Sequence, residues 1–353
     1  MFIIKHKNIF LGLSAFFVTV SIASIFFFGI KTGIDFTGGS LLEVSYDAAT
    51  PSATPESPVL TDAKAVTITE KATATPAIVL ATDTTKRPDV AKIKEASVSV
   101  NIKEAVVQPT GKDGYILRMR TLSDKEHKEL LAALSFGGTY KVDEKRFTSI
   151  GPVMGNELRA KAIWATVGVI LAIMLFIAFA FRKVSAPVSS SKYGYMAVVA
   201  LVHDVAIPAG AVAILGHFYG FEADILFVTA ILIILGFSVH DTIVVFDRIR
   251  ENLRNKLSTD FEFVVGKSLE QTFVRSLNTS LTVILVIIML VVLGPASTFN
   301  FSMILLIGIT MGTYSSIFLA SPLLVVVEAW QRKGKPVVVQ TQQTYGGKKK
   351  KNR

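Results

Sequence analysis

Asp241 lies in Ile231–Phe246, a run that is otherwise mostly apolar and long enough to cross a bilayer as part of a helix. An aspartate near the middle of such a helix costs about 2.5 to 3.5 kcal/mol to insert, so a helix that keeps one turns it toward a protein interior or a water-filled cavity. The chemistry open to it is narrow: it holds a cation, or it takes up and releases a proton. His240 precedes it directly. His203 and Asp204 lie in another apolar run, roughly 13 Å past its start, while Asp241 lies roughly 9 Å inside the boundary marked by Asp247. Arg275 opens a third run, and its long stem reaches a turn or more into the inner part of a bilayer. Asn278, Thr279 and Thr282 follow it at three, four and seven residues, a polar stripe along one helix face that is suited to binding water.

An ionised Asp241 without a counter-charge either protonates or is driven from the low-dielectric region. Arg275 is always charged and offers a planar donor fork, which holds a carboxylate in a way that lysine does not. A cycle follows: ionised Asp241 attracts Arg275, protonated Asp241 releases it, and the helices repack. The alternative is a static, satisfied polar cluster that fixes helix register. His203 and His240 are as well suited to hydrogen-bonding a neighbour as to relaying protons. Pro208 and Gly210 loosen the helix that carries Asp204 and offer a hinge, although proline is frequent in membrane helices generally.

These groups need a membrane frame, and the composition supplies one. The chain of 353 residues is 51% hydrophobic, too apolar for an ordinary soluble protein. Six runs approach the roughly 20 residues that cross hydrocarbon: 9–30, 162–181, 195–217, 223–246, 277–294 and 301–327. The expected fold is therefore a polytopic α-helical membrane protein with six transmembrane helices. Lys and Arg collect in residues 1–8, in segment 182–194, in an amphipathic loop at 247–276 and in the tail 328–353; the short segments 218–222 and 295–300 have none. Retention of basic residues on the cytoplasmic side puts both termini there and segment 31–161 outside. That outer segment is nearly neutral, so the net charge of +10 reflects topology. The lysine-rich end of the tail, Lys348–Arg353, suits anionic lipid headgroups better than a specific nucleic acid. With no cysteine, disulfides and thiol catalysis are excluded. The first run competes with a cleavable signal peptide ending near Ser21-Ile22-Ala23, but apolar residues continue through Phe28 and Ile30, which favours an uncleaved anchor.

Outside the membrane, Gly33-Ile34-Asp35-Phe36-Thr37-Gly38-Gly39 leads into an alternating strand at 40–46. Residues 48–88 are dominated by Ala, Thr, Pro and Ser and read as a flexible insertion, with room for a short strand at Ala77–Leu80. Beyond them the pattern predicts a helix near 89–96, strands near 98–107 and 114–120, a helix at 123–134 opened by the capping box Ser123-x-x-Glu126, and a strand near 140–149. The order β-α-β-β-α-β is that of a ferredoxin-like split βαβ domain. No nucleophile with a base, no metal-ligand spacing and no phosphate-binding loop is present, so neither an enzyme nor a bound cofactor is expected.

Five motifs in order resemble the SecF family of protein-export membrane subunits, which is related to the resistance–nodulation–division type of proton-driven permeases. They are Gly33–Gly39 with Asp35, Phe36 and Gly38; Ser149-Ile150-Gly151-Pro152 through Leu158; His203-Asp204-Val205; Asp241 through Asn252; and Arg275 through Ser280. The resemblance implies a multi-pass protein of the bacterial cytoplasmic membrane that pairs with SecD beside the SecYEG channel. It implies that the proton motive force, not a cofactor, helps move preproteins after the SecA ATPase has acted. It further implies accessory subunits of the YajC and YidC types, and assigns the proton-pathway aspartate and its arginine to Asp241 and Arg275. Two features depart from the family pattern: the insertion at 48–88, and His240 where that pattern has asparagine. A half-transporter for a small molecule and an assembly scaffold remain as rival readings.

Overall fold

The computed structural model describes residues 2–47, 87–180 and 190–333. Most of the insertion at 48–88, its candidate strand at 77–80 and the lysine-rich tail lie outside the described residues. The chain divides into two compact units, one of Met1–Lys31, Ala165–Phe221 and Leu226–Arg353, the other of Thr32–Trp164 and Glu222–Ile225.

In the second unit the strands are β1 (Gly39–Asp47), β2 (Val106–Thr110), β3 (Gly114–Met119) and β4 (Lys141–Ile150). They form one sheet in the order β2-β3-β1-β4 with every neighbouring pair antiparallel. The short helix α3 (Ile34–Thr37) precedes β1, helix α4 (Val90–Ser99) joins β1 to β2 and α5 (Asp124–Leu134) joins β3 to β4, which completes the split βαβ order expected from the sequence. The alternation of β1 and β3 puts Leu42, Val44, Tyr46, Tyr115 and Leu117 on one face, where they pack with Ile93 of α4 and with Leu130 and Leu134 of α5. Pro109, which has no N–H to donate, stands in the edge strand β2. The other edge, β4, carries the charges Asp143, Glu144, Lys145 and Arg146, which discourage pairing with a further strand.

The strand expected over 98–107 begins only at Val106. Val98, Val100 and Ile102 alternate like a strand, but α4 runs through Ser99, with the Ser97 and Ser99 hydroxyls donating to the Ile93 and Ala96 carbonyls. Asn101 then adopts φ 62°, and the N–H groups of Asn101 and Ile102 donate to the carbonyls of Val98 and Ser97. This is a Schellman stop with asparagine in the left-handed position. At the start of α5 the capping box is present, Ser123 Oγ accepting from the Glu126 N–H and Glu126 accepting from the Ser123 N–H.

The first unit contains α1 (Phe2–Lys5), α2 (Lys7–Phe28), α7 (Ser190–Tyr219), α8 (Ile225–Arg254, from Leu226), α9 (Phe261–Leu293), α10 (Phe299–Ser315) and α11 (Ser321–Lys333). Helix α6 (Pro152–Ala180) begins in the second unit and enters the first at Ala165. A π-turn over Ser316–Ala320 links α10 to α11. Six spans are long and apolar enough to cross a membrane: α2, α6, α7, α8, α9 and the composite Phe299–Gln331. Half or more of the apolar stretch is buried in α7, α8 and the sixth span, against a small fraction in α6. Helices extend well past the hydropathic runs. α8 runs on through Arg254 and α9 starts at Phe261, so segment 247–276 comprises two helix ends around a short connection at 255–260. Asn252 there donates to Ser268 Oγ and Gln271 Oε1, both at 2.8 Å, and this clasp holds the end of α8 against α9.

Candidate functional site

Small residues bring the three central spans close. A Cβ on Gly210 of α7 would lie 2.5 Å from Cα of Ser21 on α2, so these helices touch where glycine permits it. Gly210 is thus a packing residue, whatever Pro208 contributes as a hinge. On α10, Gly308 faces Ile234 and Gly312 faces Ser238, a small-x-x-x-small seam that admits α8.

Those approaches assemble two buried carboxylates. Asp204 on α7 has no exposed surface; its Oδ1 lies 2.9 Å from His203 Nδ1, and its Oδ2 accepts from Ser315 Oγ at 2.8 Å and from Ser238 Oγ. Asp241 on α8 is 6% exposed, and its Oδ2 accepts from Ser316 Oγ. Hydroxyl donors reach both groups, so neither carboxylate is buried without a hydrogen bond. The His203 ring lies near that of Tyr314, whose hydroxyl donates to the Phe10 carbonyl at 3.0 Å, while His203 Nε2 has no hydrogen-bond partner among the described residues.

A narrow cleft of about 20 Å³ adjoins Asp241, lined by Phe237, His240, Asp241, Val244, Arg275, Ser276 and Thr279. That is room for about one water. Arg275 is exposed and makes no ion pair among the described residues, so it shares a cleft with Asp241 without contacting its carboxylate. Ser276 Oγ is buried and has no partner among the described residues, which fits a water site. The stripe on α9 is partly turned inward on itself, Thr279 donating to the Arg275 carbonyl and Thr282 to the Thr279 carbonyl. Asn278 is exposed and does not line the cleft.

Six of the residues singled out in the sequence therefore fall into two groups. His240, Asp241, Arg275 and Thr279 share the cleft, and His203 and Asp204 form a separate buried pair. The link between the groups is the dipeptide Ser315-Ser316, which sequence reasoning missed along with Ser238 and Ser276. One signal was available: Ser321-Pro322 in the sixth span. Pro322 has no N–H for the carbonyl four residues earlier and crowds it, which favours a widened turn there, and such turns recur at functional sites. The Ser321 hydroxyl donates to the Ser316 carbonyl at 3.3 Å across that turn.

The glycine motif serves the second unit's geometry. Gly38 and Gly39 have φ of 78° and 134°, and a Cβ on either would come within 2.8 Å of Pro152 Cα or the Met119 carbonyl. Gly33 donates its N–H to the Ala223 carbonyl at 2.8 Å, Asp35 accepts from the Ile225 N–H at 2.9 Å, and Phe36 is buried. Arg118 and Glu222 pair at 3.0 Å.

Six apolar spans, a split βαβ unit inserted after the first and ionisable groups buried between central helices define a multi-pass membrane protein. The model for the C-terminal region of protein export membrane protein SecD/SecF matches residues 132–330, and that for the SecD/SecF GG motif matches residues 23–50. The chain belongs to the SecD/SecF family of protein-export membrane proteins. It is 38% identical over 344 residues to protein translocase subunit SecF of Thermobaculum terrenum, with 94% of each chain covered, and 32% identical to that of Anaerolinea thermophila, with 94% of this chain and 97% of the relative covered. Among solved structures it resembles SecDF, a translocon-associated membrane protein from Thermus thermophilus, with TM-score 0.70 and 27% identity, over 93% of this chain. A SecDF structure in a super-membrane-facing form gives TM-score 0.57 at 27% identity. The chain spans 38% and 39% of the length of those two SecDF chains.

Proposed function

We propose that this chain is the SecF part of a SecDF-type assembly that uses the proton motive force to assist preprotein movement through SecYEG after the SecA-driven steps. It sits in the bacterial cytoplasmic membrane with both termini in the cytoplasm, pairs with a SecD-type chain and is not itself an enzyme. YajC-type and YidC-type subunits and anionic lipids at the basic tail complete its surroundings. The observation that carries the proton-coupled part of this reading is the placement of Asp241: buried, bonded to one hydroxyl, and on the same cleft as Arg275, which makes no ion pair among the described residues. A carboxylate so placed gains or loses a charge at modest cost only if a cation or water can approach and withdraw, and a cleft lined by Arg275 with room for about one water supports this reading. The exposure of Arg275 supports the pairing with a second chain, because a guanidinium on a membrane span is favoured where a partner supplies an acceptor.

The test is preprotein export into membrane vesicles with the electrical potential and the pH gradient collapsed separately, for the parent chain and for Asp241→Asn. The expected outcome is that Asp241→Asn inserts and assembles normally but exports at the rate of the parent without a gradient. Parental, gradient-dependent export by Asp241→Asn would overturn the proton-coupled reading. Full function on replacing Asp241 and Arg275 together by apolar residues would instead favour a packing role for the cluster.

A further inference from the structure

Ser315 and Ser316 are fully buried neighbours at the junction of α10 and the π-turn, and their hydroxyls serve two different helices: Ser315 meets Asp204 on α7, Ser316 meets Asp241 on α8. Each has a second acceptor within reach. Ser315 Oγ lies 3.0 Å from the Gly312 carbonyl as well as 2.8 Å from Asp204 Oδ2. Ser316 Oγ lies 3.0 Å from the Thr313 carbonyl as well as against Asp241 Oδ2. A hydroxyl has one proton and two lone pairs, so each serine donates to one acceptor at a time and still accepts from another donor.

We propose that Ser315 and Ser316 are a pair of positioning residues whose hydroxyls rotate between carboxylate and backbone carbonyl, so that Asp204 and Asp241 each exchange a proton in place. With Asp241 ionised, the Ser316 O–H donates to Oδ2. When Asp241 takes a proton from the aqueous phase, its new O–H donates to Ser316 Oγ, and the serine proton turns to the Thr313 carbonyl. Ser315 does the same between Asp204 and the Gly312 carbonyl. No heavy atom moves, no covalent bond of the serine breaks, and both serine oxygens and Oδ2 of each aspartate keep a partner in both states. That matters where no bulk water is present to absorb a mismatch. The ionisable and polar groups facing the pair are His203, Tyr314 and Ser238 beside Asp204, and His240, Arg275, Ser276 and Thr279 on the cleft beside Asp241. The inference extends the proton-coupled reading by naming what stabilises both protonation states and by making Asp204 a second exchanging group.

Infrared difference spectra of the full-length chain in lipid, recorded between high and low pH, read the carboxyl stretch of each protonated aspartate directly. Asp241→Asn and Asp204→Asn assign the two bands. Ser316→Ala is expected to move the Asp241 band to higher wavenumber and leave the Asp204 band in place, and Ser315→Ala the reverse. Gradient-dependent export by Ser316→Ala should fall about tenfold, the scale of one lost hydrogen bond to a charged group. Ser316→Cys keeps the size but donates weakly, and should behave like alanine; it carries the same reading if the alanine variant does not fold. Bands that stay in place in a folded Ser316 variant overturn the inference while leaving the coupling role of Asp241 standing. Gradient-dependent export by Asp241→Asn would remove that role, whatever the serine variants do.

Discussion

At the scale of single residues, the same rule operates in the membrane and outside it: a carboxylate takes its state from the donors that face it. Asp204 and Asp241 face hydroxyls, whereas Glu126 in the second unit faces a guanidinium. Hydrogen bonds from Arg120 first, then from the backbone and hydroxyl of Ser123, hold the Glu126 carboxyl at about 2 against an ordinary 4.5. Its folded value is below its unfolded one, so its contribution to stability is present above about pH 4.5 and is lost as the pH falls toward 2. A carboxyl-carbon NMR titration should find the Glu126 midpoint near 2, and Arg120→Ala should move it up toward the ordinary value. An unmoved midpoint in that variant would assign the shift to the capping box alone. Legibility at this scale followed residue type. Asp241, Asp204 and Arg275 stand out because ionisable groups are costly in an apolar run. Ser238, Ser315 and Ser316 do not, because serine is common in membrane helices, both as a small packing residue and as a back-bonder to its own helix.

At the scale of elements, hydrophobic periodicity located all six spans and the split βαβ order, but it did not locate where helices begin or stop. Hydropathy reports which residues tolerate hydrocarbon, while helical hydrogen bonding continues through polar residues such as Glu157, Arg159 and Lys161 in α6 and Glu262 through Gln271 in α9. Val98 and Val100 failed as strand signals for the converse reason: the asparagine stop that follows them fixes a helix whose β-branched residues only look alternating. Close packing of elements turns on individual atoms, and Gly210 is the sharpest case. Gly210→Ala puts a methyl 2.5 Å from the Ser21 Cα, so it should destabilise the folded chain by about 1–3 kcal/mol in a detergent or lipid melt. Ser21→Gly should fail to restore stability, because the obstructing Cα remains. Rescue by that second change would mean that α2 and α7 meet through the serine side chain instead of through backbone contact.

At the scale of the whole molecule, the distribution of exposure is uneven in a way that a lone six-helix unit does not require. The central spans α7, α8 and the composite sixth are half buried or more, yet α9 exposes Val274, Leu277, Leu281, Leu285, Met289 and Val292. These recur at three- and four-residue steps, so they form one stripe along the helix, and the exposed Arg275 lies at its N-terminal end. Lipid suits the apolar part of that stripe but not the guanidinium, whereas a neighbouring span carrying an acceptor suits both. The proposed pairing with a SecD-type chain therefore makes a positional demand on α9. Because the chain contains no cysteine, single cysteines introduced at Leu277, Leu281, Leu285 and Val292 report proximity without a background. In membranes containing the partner, they should cross-link to it through a short bifunctional reagent, with the same three- and four-residue periodicity. Cysteines at Val167 and Leu175 on α6, which are also exposed, give the comparison for random encounter. Equal cross-linking at both sets would remove α9 as the partner face and with it the argument that the partner covers Arg275. A periodic signal confined to α9 would place the cleft of Asp241, with the proton exchange proposed for it, at the boundary between two chains, where movement of one against the other can open and close it.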